Sequence, residues 1–592
     1  MYFGNFRWPT DVPMTRLRSR VLIFGLCVAA GLPATMAHAQ TPPNLSAVPV
    51  GSPLPRIMPP AAPEVGPGLV APAPHPLHNP LPGAQVQVSS AELLGATVYP
   101  PGRFNDLLAP LNGAVDETRI EEVRSAILAT YRADGYVFTA VSATLESGGR
   151  LVFRAVEGRI VEVKLDGDIG PAGVQVLRFL NHLVDGGPLN VATLERWLLL
   201  AQDVPGVTLR TVLRPSTDDP GALSLVAQVS RHKFSALVTA DNAGYSNTGP
   251  EEGVVSISAN SFTEYGEHTD ATIFYAARST EIFGQAATEL FLGASGLKVR
   301  VYAGRGTTDP TGSLGQIGYH GDTFIAGTSL SYPVIRERQQ SLAVIAFFDM
   351  LDGTVYTGAN TVRTVASNDN LRVLRLGTDY ALHDIWLGGD RSAVSTISLR
   401  LSQGVPGLGA SSQGDPSAGR LNERIDFTKV SFEASRTQVL FTPWQNATVA
   451  LQPLLAGQYS ADVLPSAEEF FLGGLRFDRG YYSGQITGDK ALTAATELQL
   501  NTSFPITALG DPFDLGSQFY GFYDWGETWQ NQKTDRNGRL ASAGLGVRLY
   551  FPKAVEVDVE GVERLTRRPL GSQAEVNQLP GTGMYWRLLC HF

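Results

Sequence analysis

The chain has 592 residues, too many for one ordinary domain, so several domains are expected. Charged residues make up 17% of it, against about 25% in an average protein, whereas glycine is abundant at 62 residues. The net charge of −10, without a basic stripe, argues against nucleic acid as the main partner. This composition favours a β-rich protein that faces lipid on one side.

The first 39 residues have the three parts of an export signal. Three arginines within residues 14–20 form a basic region, residues 21–32 are apolar, and the small residues of 37–39 suit a cleavage site. Twelve apolar residues are too few for a membrane-spanning helix, which needs about 20. We therefore expect residues 1–39 to be a cleaved signal peptide, with 1–13 as an upstream start-site extension.

A proline-rich segment follows at residues 40–85. It holds 14 prolines between residues 41 and 83 and few charges. Such a density of prolines prevents a regular helix and favours an extended linker. Removal of the signal leaves Cys590 as the sole cysteine, so an intrachain disulfide is excluded.

The next part of the chain alternates between helical and strand patterns, and it does so twice. Apolar residues at helical spacing predict one helix over 117–134, and two more over 174–183 and 191–202. Strands are predicted on either side of these helices. The pattern indicates two successive β-α-α-β-β units of roughly 70 residues each, over residues 86–159 and 160–231.

Residues 232–592 alternate between apolar and polar side chains with a period of two. This alternation alone fits a soluble sandwich as well as a membrane barrel, in which the apolar face contacts lipid and the polar face lines the lumen. The export signal, the absence of predicted helices and the terminal Phe592 favour the barrel. At about 22 residues per strand and connection, this stretch accommodates roughly 16 strands. Clear examples are residues 396–402, 497–501, 545–551 and 555–560.

Two short motifs in the second half of the chain carry opposite charges. One is a glycine-rich segment around an arginine, at residues 471–482, and the other is a short aromatic segment around an aspartate, at residues 522–526. If the barrel closes and the first segment folds inward, the two charges meet in the lumen as a latch. The predicted latch residues are Arg479, Gly480, Tyr481 and Asp524, surrounded by Arg476, Asp478, Gly473, Gly474, Phe522 and Gly526.

In their order and spacing, these motifs resemble those of the outer-membrane transporters of two-partner secretion, within the Omp85 superfamily. The resemblance covers about residues 86–592. Further motifs carry it at the start of the barrel (241–244 and 248–249), at a later strand end (330–336) and at a helix-to-strand turn in the second α/β unit (198–207). The turn residues of that last motif are Asp203, Pro205 and Gly206.

The resemblance implies an α+β region of two periplasmic POTRA domains followed by an all-β transmembrane barrel in the outer membrane of a Gram-negative cell. The POTRA domains would receive an unfolded partner exoprotein by pairing its backbone with an exposed strand edge. The barrel would pass that partner outward. Other expected partners are outer-membrane lipid and the barrel-assembly machinery; nucleic acid, cofactors and metals are not expected.

The resemblance also places Arg479 opposite Asp524 as a bidentate ion pair. The residue before the arginine is usually an apolar one in this family, typically valine, but here it is Asp478. Asp478 would either compete with Asp524 for Arg479 or be neutralised by Arg476. A third possibility is an exposed hairpin with incidental charges. The sequence leaves these open.

Other functions fit less well. No phosphate-binding loop, zinc-protease motif or nucleophile elbow is present, so an enzyme is not expected. An Omp85-type factor for protein assembly or lipid handling is the main alternative, although two α/β units favour the secretion transporter. A passive porin would need neither these units nor the loop motif. The helix that plugs the pore in some relatives is not expected, because residues 40–85 contain too many prolines.

Overall fold

The computed structural model of the chain describes residues 53–54, 64–67, 85–184, 186–216, 219–358, 362–507, 512–552, 554–569 and 578–592. The predicted signal peptide lies outside these residues, as does most of the predicted linker. Among the described linker residues, Leu54 is buried against the inward-facing Phe274 and Phe283 of the barrel. The backbone N–H of Gly66 donates to the carbonyl of Arg338 at 2.7 Å. These linker residues therefore contact the barrel.

The first α/β unit contains a three-stranded sheet and one long helix. The predicted helix at 117–134 is confirmed, and it begins where the Asp116 carboxylate accepts from the backbone N–H of Thr118. Its inner face packs Val123 and Ile127 against the sheet. The sheet order is β2-β5-β4, and β1 pairs with β3. The elements are β1 Gln85–Val88, β2 Ser90–Leu94, α1 Asn105–Leu108, β3 Gly113–Asp116, α2 Glu117–Ala133, β4 Ala140–Glu146 and β5 Arg150–Val156.

The second α/β unit repeats this plan with two helices against a sheet of order β6-β8-β7. The predicted helix at 191–202 is confirmed with its bounds. The helix predicted at 174–183 begins two residues earlier, and its last turn, Asn181–Leu183, is a 3-10 helix. Val176, Phe179 and Leu225 belong to its core. The elements are β6 Arg159–Asp166, α3 Ala172–Leu180, α4 Val191–Gln202, β7 Val207–Pro215 and β8 Ala222–Arg231.

All but two short ones of the remaining strands form a closed antiparallel barrel, in which the last strand, β26, pairs with the first, β9. The barrel has 16 strands, which confirms the number predicted. One short helix, α5 Gly312–Gln316, lies in a connection. The barrel strands are β9 Phe234–Asp241, β10 Glu252–Asn260, β11 His268–Ala276, β12 Glu281–Phe291, β13 Lys298–Thr308, β14 His320–Arg336, β15 Gln340–Thr357, β16 Thr364–Asp384, β17 Ala393–Gly404, β18 Thr428–Phe441, β19 Thr448–Ser460, β22 Lys490–Ile506, β23 Phe513–Trp529, β24 Gly538–Phe551, β25 Val555–Arg564 and β26 Thr582–His591.

The barrel resolves the ambiguity of the alternating pattern. On β17, Ile397, Leu399 and Leu401 are each about half exposed, at 49%, 48% and 47%. Arg400, which lies between them, turns the other way and forms an ion pair with Asp379 at 2.7 Å. Apolar side chains therefore point outward and charged ones inward, which is the arrangement of a barrel in lipid and the reverse of a soluble sandwich.

No helix among the described residues is long and apolar enough to cross a membrane.

Candidate functional site

The connection between β19 and β22, residues 461–489, is termed the inner loop. Its two limbs pair as a short hairpin of β20 Phe470–Leu472 and β21 Ile486–Gly488. At the start of the tip, Gly473 and Gly474 have φ angles of 103° and 101°, which favour glycine because a side chain would be strained there. These turns direct the tip against the barrel wall.

Arg479 lies at the tip and is 8% exposed. Its Nε and Nη2 atoms donate to the two carboxylate oxygens of Asp524, both at 2.9 Å, and its backbone N–H donates to the same carboxylate at 3.0 Å. The guanidinium also stacks on Phe522, 3.7 Å from the ring centre. The structure thus brings together the arginine and the aspartate of the two sequence motifs, with a bidentate geometry that fixes the tip precisely.

A second carboxylate, which the sequence analysis missed, also binds Arg479. Glu497 on β22 accepts from Nη1 of Arg479 at 2.5 Å. Its other oxygen accepts from Arg548 at 2.6 Å, and Arg548 in turn pairs with Asp558 at 2.9 Å. These ion pairs form a chain of five side chains with alternating charge, which is termed the wall network: Asp524, Arg479, Glu497, Arg548 and Asp558. Its sequence signal is the strand period of two, which places charged residues of β22, β24 and β25 on the inward face.

Asp478 does not bind Arg479 in the structure. Its Oδ2 accepts from Thr493 at 3.2 Å, and its Oδ1 has no hydrogen-bond partner among the described residues. A Cβ atom on Gly526 would lie 2.3 Å from Oδ2 of Asp478, so the glycine of the wall motif leaves the space that Asp478 occupies. Arg476 does not neutralise Asp478 either, because it pairs with Glu433 on β18.

The remaining two residues of the predicted latch fasten the tip to the last strands of the barrel. Tyr481 donates its hydroxyl to the carbonyl of Ala541 at 2.6 Å. The carbonyl of Gly480 accepts from the hydroxyl of Tyr585 on β26 at 2.8 Å. A Cβ atom on Gly480 would lie 2.4 Å from a methyl group of Val562. Glycine is therefore required where the tip touches the wall.

Other strands of the barrel hold the beginning of the inner loop. Glu468 forms ion pairs with Arg375 on β16 and Lys429 on β18, both at 2.6 Å. Burial acts to raise the pKa of Glu468, but these two cations outweigh it and lower the pKa to about 2. The inner loop is thus fixed by ion pairs to β16 and β18 near its beginning and to β22 and β23 at its tip.

The predicted turn of the second α/β unit lies against the barrel. The Asp203 carboxylate accepts from Nε and Nη2 of Arg336, at 2.9 and 2.7 Å. The carbonyl of Pro205 accepts from Ser261 at 2.7 Å, and Gly206 adopts a φ of 75°. Arg336 ends β14, so the turn motif and the strand-end motif of the sequence contact each other. We term this contact the docking pair.

No group of three or more His, Cys, Asp or Glu side chains suited to a metal ion occurs within the described ranges. The charged residues of the wall network and those around Glu468 are instead paired with one another. Such pairs add little net stability, but removing one partner is costly because it leaves a buried charge uncompensated. Paired charges inside a barrel therefore hold a loop in position at little net stability, which suits a loop that changes conformation.

Fold and site define the chain as an outer-membrane β-barrel that carries POTRA domains on its periplasmic side. Residues 222–549 match the model of the family described as haemolysin secretion/activation protein ShlB/FhaC/HecB. The chain belongs to this family of two-partner secretion transporters. It is an outer-membrane pore that translocates a partner exoprotein, and the family assignment favours this function over the assembly factor and the porin.

Two curated relatives illustrate the similarity. The heme/hemopexin transporter protein HuxB of Haemophilus influenzae (strain 86-028NP) is 21% identical over 405 residues, which are 67% of this chain and 68% of the relative. The hemolysin transporter protein ShlB of Serratia marcescens is 25% identical over 497 residues, which are 80% of this chain and 81% of the relative.

Solved structures share the fold. CdiB from Escherichia coli is similar with a TM-score of 0.67 at 19% identity, over 86% of this chain and 91% of that one. CdiB from Acinetobacter baumannii is similar with a TM-score of 0.61 at 15% identity, over 90% and 95%. At these identities the likeness concerns the fold.

The wall network generates a first prediction. Replacing Arg548 by methionine leaves Asp558 without its cation and Glu497 with Arg479 alone, so the barrel should lose about 1.5–3 kcal/mol of stability. The measurement is the temperature at which the purified barrel unfolds in detergent, which is seen as a shift in its electrophoretic mobility. Arg305→Met is the matched control, because Arg305 is 75% exposed and approaches Asp322 only at 4.0 Å. Equal unfolding temperatures for the two variants would contradict the predicted contribution of the wall network to the stability of the barrel.

The docking pair generates a second prediction. Arg336→Ala should free the turn at 198–207 and increase its amide hydrogen exchange, equivalent to about 1.5–3 kcal/mol for a lost charged hydrogen bond. Exchange followed by mass spectrometry measures this. Arg214→Ala, on the exposed part of β7, should leave exchange unchanged. The charge-reversed pair Asp203→Arg with Arg336→Asp should restore protection; failure to do so would show that the ion pair is not what holds the turn.

Proposed function

We propose that the tip of the inner loop is a latch that the partner exoprotein releases during its passage. The observation that carries this proposal is the bidentate pair between Arg479 and Asp524, made inside the barrel by a loop that also pairs with Arg375 on β16. A chain that crosses the barrel must displace this loop. The pair is therefore intact in the resting pore and broken in the conducting pore.

The wall network supports release without a prohibitive cost. When Arg479 leaves, Glu497 retains Arg548, so one of the two carboxylates that bound the latch stays compensated. Asp524, which is 1% exposed, is the carboxylate left without a cation. The latch energy is thus concentrated in one pair, Arg479 with Asp524.

The two α/β units, which we take as residues 86–159 and 160–231, are proposed to receive the partner in unfolded form. In their sheets, β4 and β7 each pair with one strand and end the sheet, so each has an edge available for an extended chain. Backbone pairing at such an edge ignores most side chains, which suits an unfolded client. The docking pair keeps the second unit at the barrel entrance.

No nucleotide-binding motif occurs in the sequence. We therefore propose that the partner is transported without nucleotide hydrolysis and that its folding outside the cell makes passage irreversible. Outer-membrane lipid around the barrel and the assembly machinery during biogenesis complete the proposed partners. No enzymatic activity is proposed, since the family to which the chain belongs consists of transporters.

The latch has a direct genetic test. Arg479→Ala should abolish secretion of the partner, because it leaves a buried carboxylate unpaired at a cost of about 3–5 kcal/mol and releases the tip. Secretion is measured as partner protein in the culture medium. The amount of heat-modifiable barrel in the outer membrane should remain that of the parent.

Arg476→Ala is the matched control, because Arg476 lies in the same loop, is 33% exposed and pairs with Glu433 on another strand. It should reduce secretion far less than Arg479→Ala. The latch proposal fails if Arg479→Ala secretes normally from a fully inserted barrel.

A further inference from the structure

A second buried arginine lies at the outer mouth of the barrel, far from the docking pair. Arg420 belongs to the connection 405–427 between β17 and β18 and is 4% exposed. Its Nη1 atom donates to Asp489 at 2.8 Å, and its Nη2 atom donates to Asp535 at 2.9 Å. Asp489 ends the inner loop and Asp535 lies in the connection 530–537. One guanidinium therefore joins three connections.

Arg420 holds both limbs of the inner loop. On the outgoing limb, its Nη1 atom donates to the carbonyl of Leu464 at 2.5 Å. On the returning limb, Asp489 accepts from Arg420 and also from the backbone N–H of Leu464 at 2.8 Å. The base of the inner loop is thus closed around one side chain, whereas its tip is held separately by Arg479.

The connection 530–537 is bound to the same point. Gln530 accepts from Arg420 at 2.9 Å and donates to Glu469 of the inner loop at 3.1 Å. The backbone N–H of Asn531 donates to the second oxygen of Asp489 at 2.7 Å. These contacts around Arg420 are termed the mouth cluster.

The charges of the mouth cluster make it sensitive to the loss of its arginine. Asp489 is fully buried, and no other arginine or lysine in the described part of the chain forms an ion pair with it or with Asp535. Burial raises the pKa of Glu469 to about 7, with Arg420 opposing the shift. In the wall network, by contrast, Glu497 is shared by two arginines. Without Arg420 the mouth carboxylates repel one another and have no substitute cation.

We propose that Arg420 is a positioning residue for transport, which holds the base of the inner loop and keeps the outer mouth closed independently of the latch at the tip. This inference deepens the proposed function, because it assigns a second closure to the same loop. A polymer that leaves the barrel must part the three connections. Since they meet at one cation, they open together.

The test uses the purified full-length barrel in planar lipid bilayers, without the partner. Arg420→Gln should open the mouth and increase the fraction of time in a large-conductance state at least about tenfold, which corresponds to 1.4 kcal/mol. Arg424→Gln is the matched control, because Arg424 lies in the same connection, is 47% exposed and, among the described residues, forms its ion pair with Asp426 of that connection. It should conduct like the parent.

A rescue experiment distinguishes a positioning role of Arg420 from misfolding of the Arg420→Gln variant. Asn422 and Gln532, whose side chains approach to 3.5 Å across two of the connections, are replaced by cysteines in a Cys590→Ser background and joined by a short cysteine-reactive cross-linker. Cross-linking should return Arg420→Gln to the low conductance of the parent. A merely misfolded barrel would stay open after cross-linking.

The proposal is overturned if Arg420→Gln conducts like Arg424→Gln, or if the cross-linked variant stays open. It is distinguishable from the latch, which is tested by secretion in Arg479→Ala. A barrel in which Arg479→Ala secretes normally while Arg420→Gln opens the pore would refute the latch and retain the mouth cluster.

Discussion

The constraint on which this structure depends is the cost of placing charged side chains inside a closed barrel. A guanidinium taken from water loses several kcal/mol of hydration and recovers it only with well-placed partners. Arg479 meets this condition through two carboxylates and an aromatic ring. The inner loop has its conformation because that arginine must reach those partners. The glycines at its turns and at its contact with the wall follow from the same requirement.

The docking pair, the wall network and the mouth cluster differ in how well each tolerates the loss of one charged partner. The docking pair is partly exposed, so water compensates part of its loss. The wall network shares Glu497 between two arginines, so in the proposed release of the tip one carboxylate stays paired. In the mouth cluster, Arg420 is the one cation among the described residues that forms an ion pair with Asp489. Ion pairs of the same kind thus have three roles. The docking pair holds the second α/β unit, the wall network holds the tip, and the mouth cluster joins three connections through one side chain.

Together these contacts order the transporter from entrance to exit. The docking pair places the second α/β unit at the periplasmic mouth, the tip of the inner loop lies against the wall, and the mouth cluster joins the outer connections. The inner loop takes part in the last two. It therefore makes contacts both inside the barrel and at the outer mouth, and a different arginine forms each of them.

The architecture and part of the site could be predicted from the sequence. The helical period of 3.6 specified the helices at Glu117–Ala133 and Val191–Gln202, because this signal is local. The number of barrel strands followed from the length of the alternating stretch at about 22 residues per strand and connection. The motifs around Arg479 and Asp524 predicted their contact. Only the tertiary structure added Glu497 and the mouth cluster and separated Asp478 from Arg479. The partners are separated in the chain by 18 residues for Arg479 and Glu497 and by 115 for Arg420 and Asp535, and no local pattern records which charges become neighbours.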